Sequence, residues 1–210
     1  MGVQTALVAI SVVAASAYFV WFRLRAPSRR RTLVKSSAAV ALGLASALST
    51  APLTLTLFYA TAALGDAFLS REDDEGFHSA LATALLSQIF LSLALTTVWI
   101  GIDAPVAAML GLVGIWVGYF MLIWGGLRRR RLTIMAYSLG SLVVMYLALG
   151  TSTNGQLAVF ATLLYVMGQV LLALEYFLLD KGSLEARLAG HAIWICYYVS
   201  LLLFLVVFTT

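Results

Sequence analysis

Asp66 and Glu175 fall near the ends of long apolar runs, and Gln88 and Gln169 fall deeper within two such runs. Placing an ionisable group in hydrocarbon costs about 2.5–3.5 kcal/mol even on lenient insertion scales, so such residues mark candidate functional sites. A carboxyl there can give or take a proton, and a carboxamide can orient water or hold a polar group without carrying charge. At 1.5 Å per residue, Asp66 lies roughly 6 Å from the basic end of its helix, with Glu175 at a comparable level. The two glutamines lie about 15 Å from the same end. All four could line one cavity that opens toward it. Simpler roles stay open: the carboxylates could snorkel or pair with Arg71 or Arg187, and mid-depth glutamines often join helices by hydrogen bonds worth around 1 kcal/mol.

Other chemistry-bearing residue types point elsewhere. His78 and His191 each open an apolar run at the membrane boundary, where an imidazole is readily hydrated, so no metal site is expected. Cys196 is the single cysteine and lies within an apolar run, which excludes an intrachain disulfide and a thiolate cage. No cofactor is expected. Gly111, Gly114 and Gly118 would let another backbone approach the fifth helix, and the tryptophans, mostly at span ends, resemble an interfacial belt.

The elements that must position these groups follow from charge and length. All thirteen Lys and Arg residues fall in Arg23 to Lys35, Arg71, Arg128 to Arg131, and Lys181 to Arg187. A span needs about 20 apolar residues, and basic loops remain cytoplasmic. The runs predict helices over Thr5–Phe22, Leu33–Ser49, Pro52–Ser70, Phe77–Ile100, Ala104–Gly126, Leu132–Gly150, Gly155–Leu179 and Leu188–Thr210. Eight crossings put every basic segment on one side, while the connections at Ala51, Asp103 and Thr151 to Asn154 carry no Lys or Arg. Both termini are then expected outside. Charges follow rather than precede the first run, which describes a retained helix and not a signal peptide.

Composition fits an all-α polytopic integral membrane protein with one transmembrane domain over residues 1–210. With 62% hydrophobic and 10% charged residues, a soluble fold could not hide its apolar surface. The net charge of +4 sits on helix flanks, so nucleic acid is not an expected partner. Arginine in excess over lysine, with abundant alanine, hints at a GC-rich bacterial source and an inner membrane. Membrane lipids are the expected partners. Gly65-Asp66-Ala67-Phe68-Leu69 and Gly168-Gln169-Val170-Leu171-Leu172 fall on corresponding helices, suggesting two parallel four-helix halves with Asp66 and Gln169 at equivalent positions.

The stretch Leu57 to Leu69, followed by Leu85-Leu86-Ser87-Gln88-Ile89-Phe90, resembles the YhhN-type lysoplasmalogenase family. Leu163 to Ala173 is similar to its second signature, Tyr197-Tyr198 to a tyrosine pair, and Lys35 opens the second helix. The resemblance implies an eight-helix membrane enzyme that hydrolyses the vinyl-ether bond of lysoplasmalogens to an aldehyde and a glycerophospho-alcohol. It also exposes departures: Gly168-Gln169 stands where the family usually has Ser-Asp, and Gln88 where a histidine is expected. Vinyl-ether hydrolysis needs a proton delivered to the alkene carbon and water directed at the oxocarbenium carbon. Asp66 is the expected acid, with Gln169 and Gln88 positioning water or the substrate's polar group.

Two functions from different classes remain. One is a divergent lipid hydrolase. The other is a non-catalytic scaffold or subunit of a larger membrane complex, because losing two ionisable groups removes chemistry while sparing helix packing. A transporter is disfavoured by uninterrupted helices, and a retinal protein by the lack of lysine in any late helix.

Overall fold

The computed structural model describes residues 2–71, 73–102, 106–127, 131–151, 155–180 and 182–209. Among them eight α-helices follow one another: α1 (Val3–Ala17, continued by a π-helical turn over Tyr18–Phe22), α2 (Arg29–Ala47), α3 (Leu53–Leu69), α4 (Asp74–Thr96), α5 (Val106–Leu127), α6 (Arg131–Leu149), α7 (Gly155–Phe177) and α8 (Leu184–Thr209). The connections at Asp103 and at Ser152 to Asn154, the basic residues Arg128 to Arg130, and Lys181 lie outside the described residues.

Five helical stretches are long and apolar enough to cross a membrane: Val3–Phe22, Glu75–Thr96, Arg131–Leu149, Gly155–Phe177 and Leu184–Thr209. The protein is an all-α polytopic membrane protein. The shorter Leu53–Leu69 is apolar throughout most of its length, while α2 opens with three arginines.

Three helices begin earlier than their apolar runs, at Arg29 against Leu33, Asp74 against Phe77 and Leu184 against Leu188. A polar cap explains each. Ser28 Oγ accepts from the Arg31 N–H (3.2 Å), Asp73 Oδ1 from the Gly76 N–H, and Ser183 Oγ from the Ala186 N–H (3.1 Å). These bonds satisfy first-turn donors that would otherwise be orphaned, so the helix extends through residues a hydropathy window discards. At the opposite end α4 stops at Thr96, short of Ile100. Its chain turns to pair with the end of α6, where the Ile100 N–H donates to Gly150 O (2.8 Å) and the Trp99 indole fills the space a Gly150 side chain would need.

Packing runs in order through the first half: α1 lies along α2, α2 along α3 and α3 along α4. Contacts then pass from α4 to α6, α6 to α7 and α7 to α8, and α8 returns to α2, closing a ring. Small residues permit the closest approaches. Gly43 of α2 faces Tyr59 Cβ, which would stand 3.1 Å from an added methyl, and Gly168 of α7 faces the α8 backbone at Ile193 O and Tyr197 N, each 3.5 Å away on the same measure. The α3–α4 and α7–α8 pairs correspond as the two-halves reading expects, but α5 lies only sparsely against α6 and α7, where α1 lies fully against α2. The Gly111, Gly114 and Gly118 face meets no neighbour within 4 Å among the described residues, so the close approach read from its spacing is not made among them. Trp194 also departs from the interfacial belt: it is buried in the main core and stacks on Tyr198.

The ring places Thr50, between α2 and α3, and Asp180, after α7, at opposite ends of the bundle. Single cysteines at these positions, with Cys196 replaced, are expected to react with an impermeant thiol reagent from opposite sides of a sealed vesicle. Labelling of both from one side would break the alternation.

Candidate functional site

Two polar clusters face the space inside the ring. The first begins on α2, where Arg31 and Lys35 stand one turn apart and are both buried. Lys35 Nζ lies 3.0 Å from Asp66 Oδ1 of α3, and their side chains are only 9% and 7% exposed. The hydroxyl of Tyr197, from α8, donates to the other carboxylate oxygen at 2.9 Å. Asp66 therefore has a partner on each oxygen. The ammonium also lies 5.9 Å from the ring centres of both Tyr18 and Trp194, within cation–π range. Those rings are fixed in turn, since the Trp194 indole donates to Ala15 O (3.1 Å) and packs 4.4 Å from Tyr18.

The second cluster joins α4, α6 and α7. Gln88 Nε2 donates to Ser141 Oγ (2.8 Å) and to Gln169 Oε1 (3.1 Å), and the Ser141 hydroxyl donates to the same Gln169 oxygen. Gln88 is fully buried, its Oε1 occupying the place a Gly140 side chain would take. Gln169 Nε2 makes no hydrogen bond of normal geometry among the described residues.

Between the clusters lies a cavity of about 560 Å³, within the range of small-molecule sites. Lys35, Asp66, Tyr197, Ser141 and Gln169 all line it, and most of its wall is aliphatic or aromatic. At the basic end Arg23 and Glu175 line it too. Arg23 Nη2 meets Glu175 Oε1 at 3.2 Å, and Arg23 Nε donates to Gly190 O at 3.0 Å, tying the end of the first span to α7 and α8.

Asp66 is interior, and its partners are Lys35 and Tyr197 in place of the arginine pairing open to the sequence. Gln88 and Gln169 do meet, as interhelical hydrogen-bond partners. Glu175 pairs with Arg23, and Arg71 with Asp73 (3.2 Å), in place of the pairings with Arg71 or Arg187 open to the sequence. His191 Nδ1 bonds the Arg187 carbonyl (2.7 Å) near the helix start. Among the described residues no three His, Cys, Asp or Glu side chains gather as a metal set. Sequence reasoning missed Lys35, Tyr197 and Ser141 as site residues. Lys35 was concealed by its position at the end of a basic flank; its signal is the four-residue step from Arg31, which turns both side chains to one helix face.

A ring of membrane helices around a largely apolar cavity, with a buried Lys–Asp–Tyr cluster in its wall, defines a polytopic membrane protein with an interior polar site. The sequence model of the YhhN family matches residues 30–207, and the chain belongs to that family. No curated protein and no solved structure matches it.

Gly140 offers a direct check on the amide cluster. A valine there collides with the buried Gln88 carboxamide, and overpacking of this kind costs about 1–3 kcal/mol. Gly140→Val is expected to lower the melting temperature in detergent, while Gly111→Val, facing open space, leaves it nearly unchanged. Equal effects would show that the Gln88 contact does not constrain α6.

Proposed function

We propose that this protein is a membrane hydrolase of lysoplasmalogen vinyl ethers, and the observation that carries the reading is the Lys35–Asp66–Tyr197 cluster in the wall of an apolar cavity. A single-chain lipid has an alkenyl chain suited to the aliphatic wall and a polar end suited to the basic mouth. Lys35 and Asp66 share one transferable proton across 3.0 Å, as ammonium and carboxylate or as amine and carboxylic acid. Asp66 delivers that proton to the alkene carbon one bond removed from the ether-bearing carbon, leaving an oxocarbenium ion. The pair is then one negative charge richer and stabilises the new cation. Water held by the Gln169 carboxamide adds to the oxocarbenium carbon and gives its proton back to the pair. The hemiacetal then breaks its C–O bond, releasing an aldehyde and the glycerophospho-alcohol. One pair acts as both acid and base, so a neutral Gln169 is compatible with turnover. The basic end is placed on the cytoplasmic face of a bacterial inner membrane, with both termini outside.

The Gln88–Ser141–Gln169 cluster favours a second reading, because it resembles interhelical glue and contains no titratable group. The chain would then be a scaffold or subunit of a membrane complex.

Asp66→Asn separates the two. Asn keeps the shape and cannot deliver the proton, so lysoplasmalogen turnover per folded molecule is expected to fall by about 10²-fold or more, beyond the loss of stability that breaking the ion pair brings. Turnover insensitive to the substitution would remove Asp66 from the mechanism. A folded wild-type protein inactive on several lysoplasmalogen headgroups would support the scaffold.

A further inference from the structure

Lys35 is one of only two lysines in the chain, the other being Lys181. Its amine is buried, lines the cavity, and stands 3.0 Å from a carboxylate that also accepts a phenol hydrogen bond. A lysine inside an apolar cavity beside a proton acceptor has the arrangement that Schiff-base chemistry needs: a desolvated amine, a group to remove its proton, and a group to protonate the departing oxygen. From this geometry we propose that Lys35 is a carbonyl-reactive amine that captures long-chain aliphatic aldehydes as a Schiff base within the cavity.

The step balances with the groups present. Asp66 takes a proton from the Lys35 ammonium, and the free amine attacks the aldehyde carbon, forming a C–N bond as the C=O π bond breaks, and the proton lost by the attacking nitrogen passes to the former carbonyl oxygen to give a neutral carbinolamine. Asp66 then protonates the carbinolamine hydroxyl, the C–O bond breaks, and one water leaves. The product is an iminium paired with the Asp66 carboxylate. Nothing is oxidised or reduced. The adduct preserves the charge pattern of the resting site, with iminium and carboxylate replacing ammonium and carboxylate, so no unpaired charge is left in an apolar setting. The aliphatic wall accommodates the alkyl chain, and the Tyr18 and Trp194 rings beside Lys35 Nζ face a cation in either state.

The capture requires aldehyde, not hydrolysis by this chain. If the chain hydrolyses vinyl ethers, its own product is the nearest aldehyde, and capture would restrain release. If it does not, the site receives aldehydes from other membrane reactions.

Detergent-purified protein incubated with hexadecanal and cyanoborohydride tests this, because the hydride converts a transient imine to a stable secondary amine readable by mass spectrometry. The expected result is an alkyl adduct on Lys35, formed far more slowly with propanal. The adduct on Lys181 or the N-terminal amine should show no such chain-length preference. Asp66→Asn is expected to slow the Lys35 adduct by about 10²-fold, since proton transfer is lost. The wild-type map alone decides the matter if a variant fails to fold: no Lys35 adduct, or one with the rate and chain-length indifference of Lys181, overturns the proposal. An adduct without lysoplasmalogen turnover leaves the capture standing and removes the hydrolase reading. Turnover without an adduct does the reverse.

Discussion

The Lys35–Asp66 ion pair sets the terms for the rest of the structure. Either charge alone in an apolar interior is strongly destabilising, and removing one partner of a buried pair typically costs about 3–5 kcal/mol. Both groups must therefore arrive together, from α2 and α3, with the Tyr197 hydroxyl of α8 satisfying the remaining carboxylate oxygen. That requirement fixes the separation of three helices. The glycine at position 43 and the alanine-rich buried face of α2 bring α2 onto α3, while Tyr59 anchors α3 to α8 by donating to Leu201 O (2.8 Å). The Tyr18 and Trp194 rings stand beside the Lys35 ammonium, and the chain from Tyr198 through Ser11 to Ala38 O binds α8, α1 and α2 around them.

The second cluster differs in kind. Gln88, Ser141 and Gln169 bring hydrogen-bonding capacity to the same cavity without charge, so they bridge α4, α6 and α7 at little desolvation risk. A cavity walled by one ionic cluster and one neutral cluster has a natural division of labour. Under the proposed hydrolysis, proton transfer falls to the pair and orientation of oxygen atoms to the amides. In that proposal the neutrality of Gln169 and Gln88 is disabling only if acid and base must sit on separate carboxyls.

Much of this was legible in the sequence. Eight helices and the interior placement of Asp66 follow from the cost of polar groups in hydrocarbon, a local property of each run. The meeting of Gln88 with Gln169 was legible as two amides at matched depth. Their bridge through Ser141 was not, because a serine in an apolar helix commonly bonds its own backbone and gives no long-range signal. The partner of Asp66 was obscured for another reason. Counting Lys35 with its neighbouring arginines identifies a flank, whereas the helix extends back to the Ser28 cap and carries Lys35 well inside its second turn. Cap-driven extension altered the start of α2, α4 and α8 alike, and only in α2 did it change what a charged residue means. The looseness of α5 was likewise invisible, since Gly111, Gly114 and Gly118 have the spacing of a packed face and meet no partner among the described residues.

A double-mutant cycle on Lys35→Met and Asp66→Leu tests most directly whether the two residues act as one unit. Thermal unfolding in detergent is the readout, because it registers the pair whether or not a substrate is known. Each single substitution strands a buried charge and is expected to destabilise by about 3–5 kcal/mol, while the double variant, with neither charge present, should recover most of that loss. Losses that simply add would contradict the account, showing that Lys35 and Asp66 do not depend on each other.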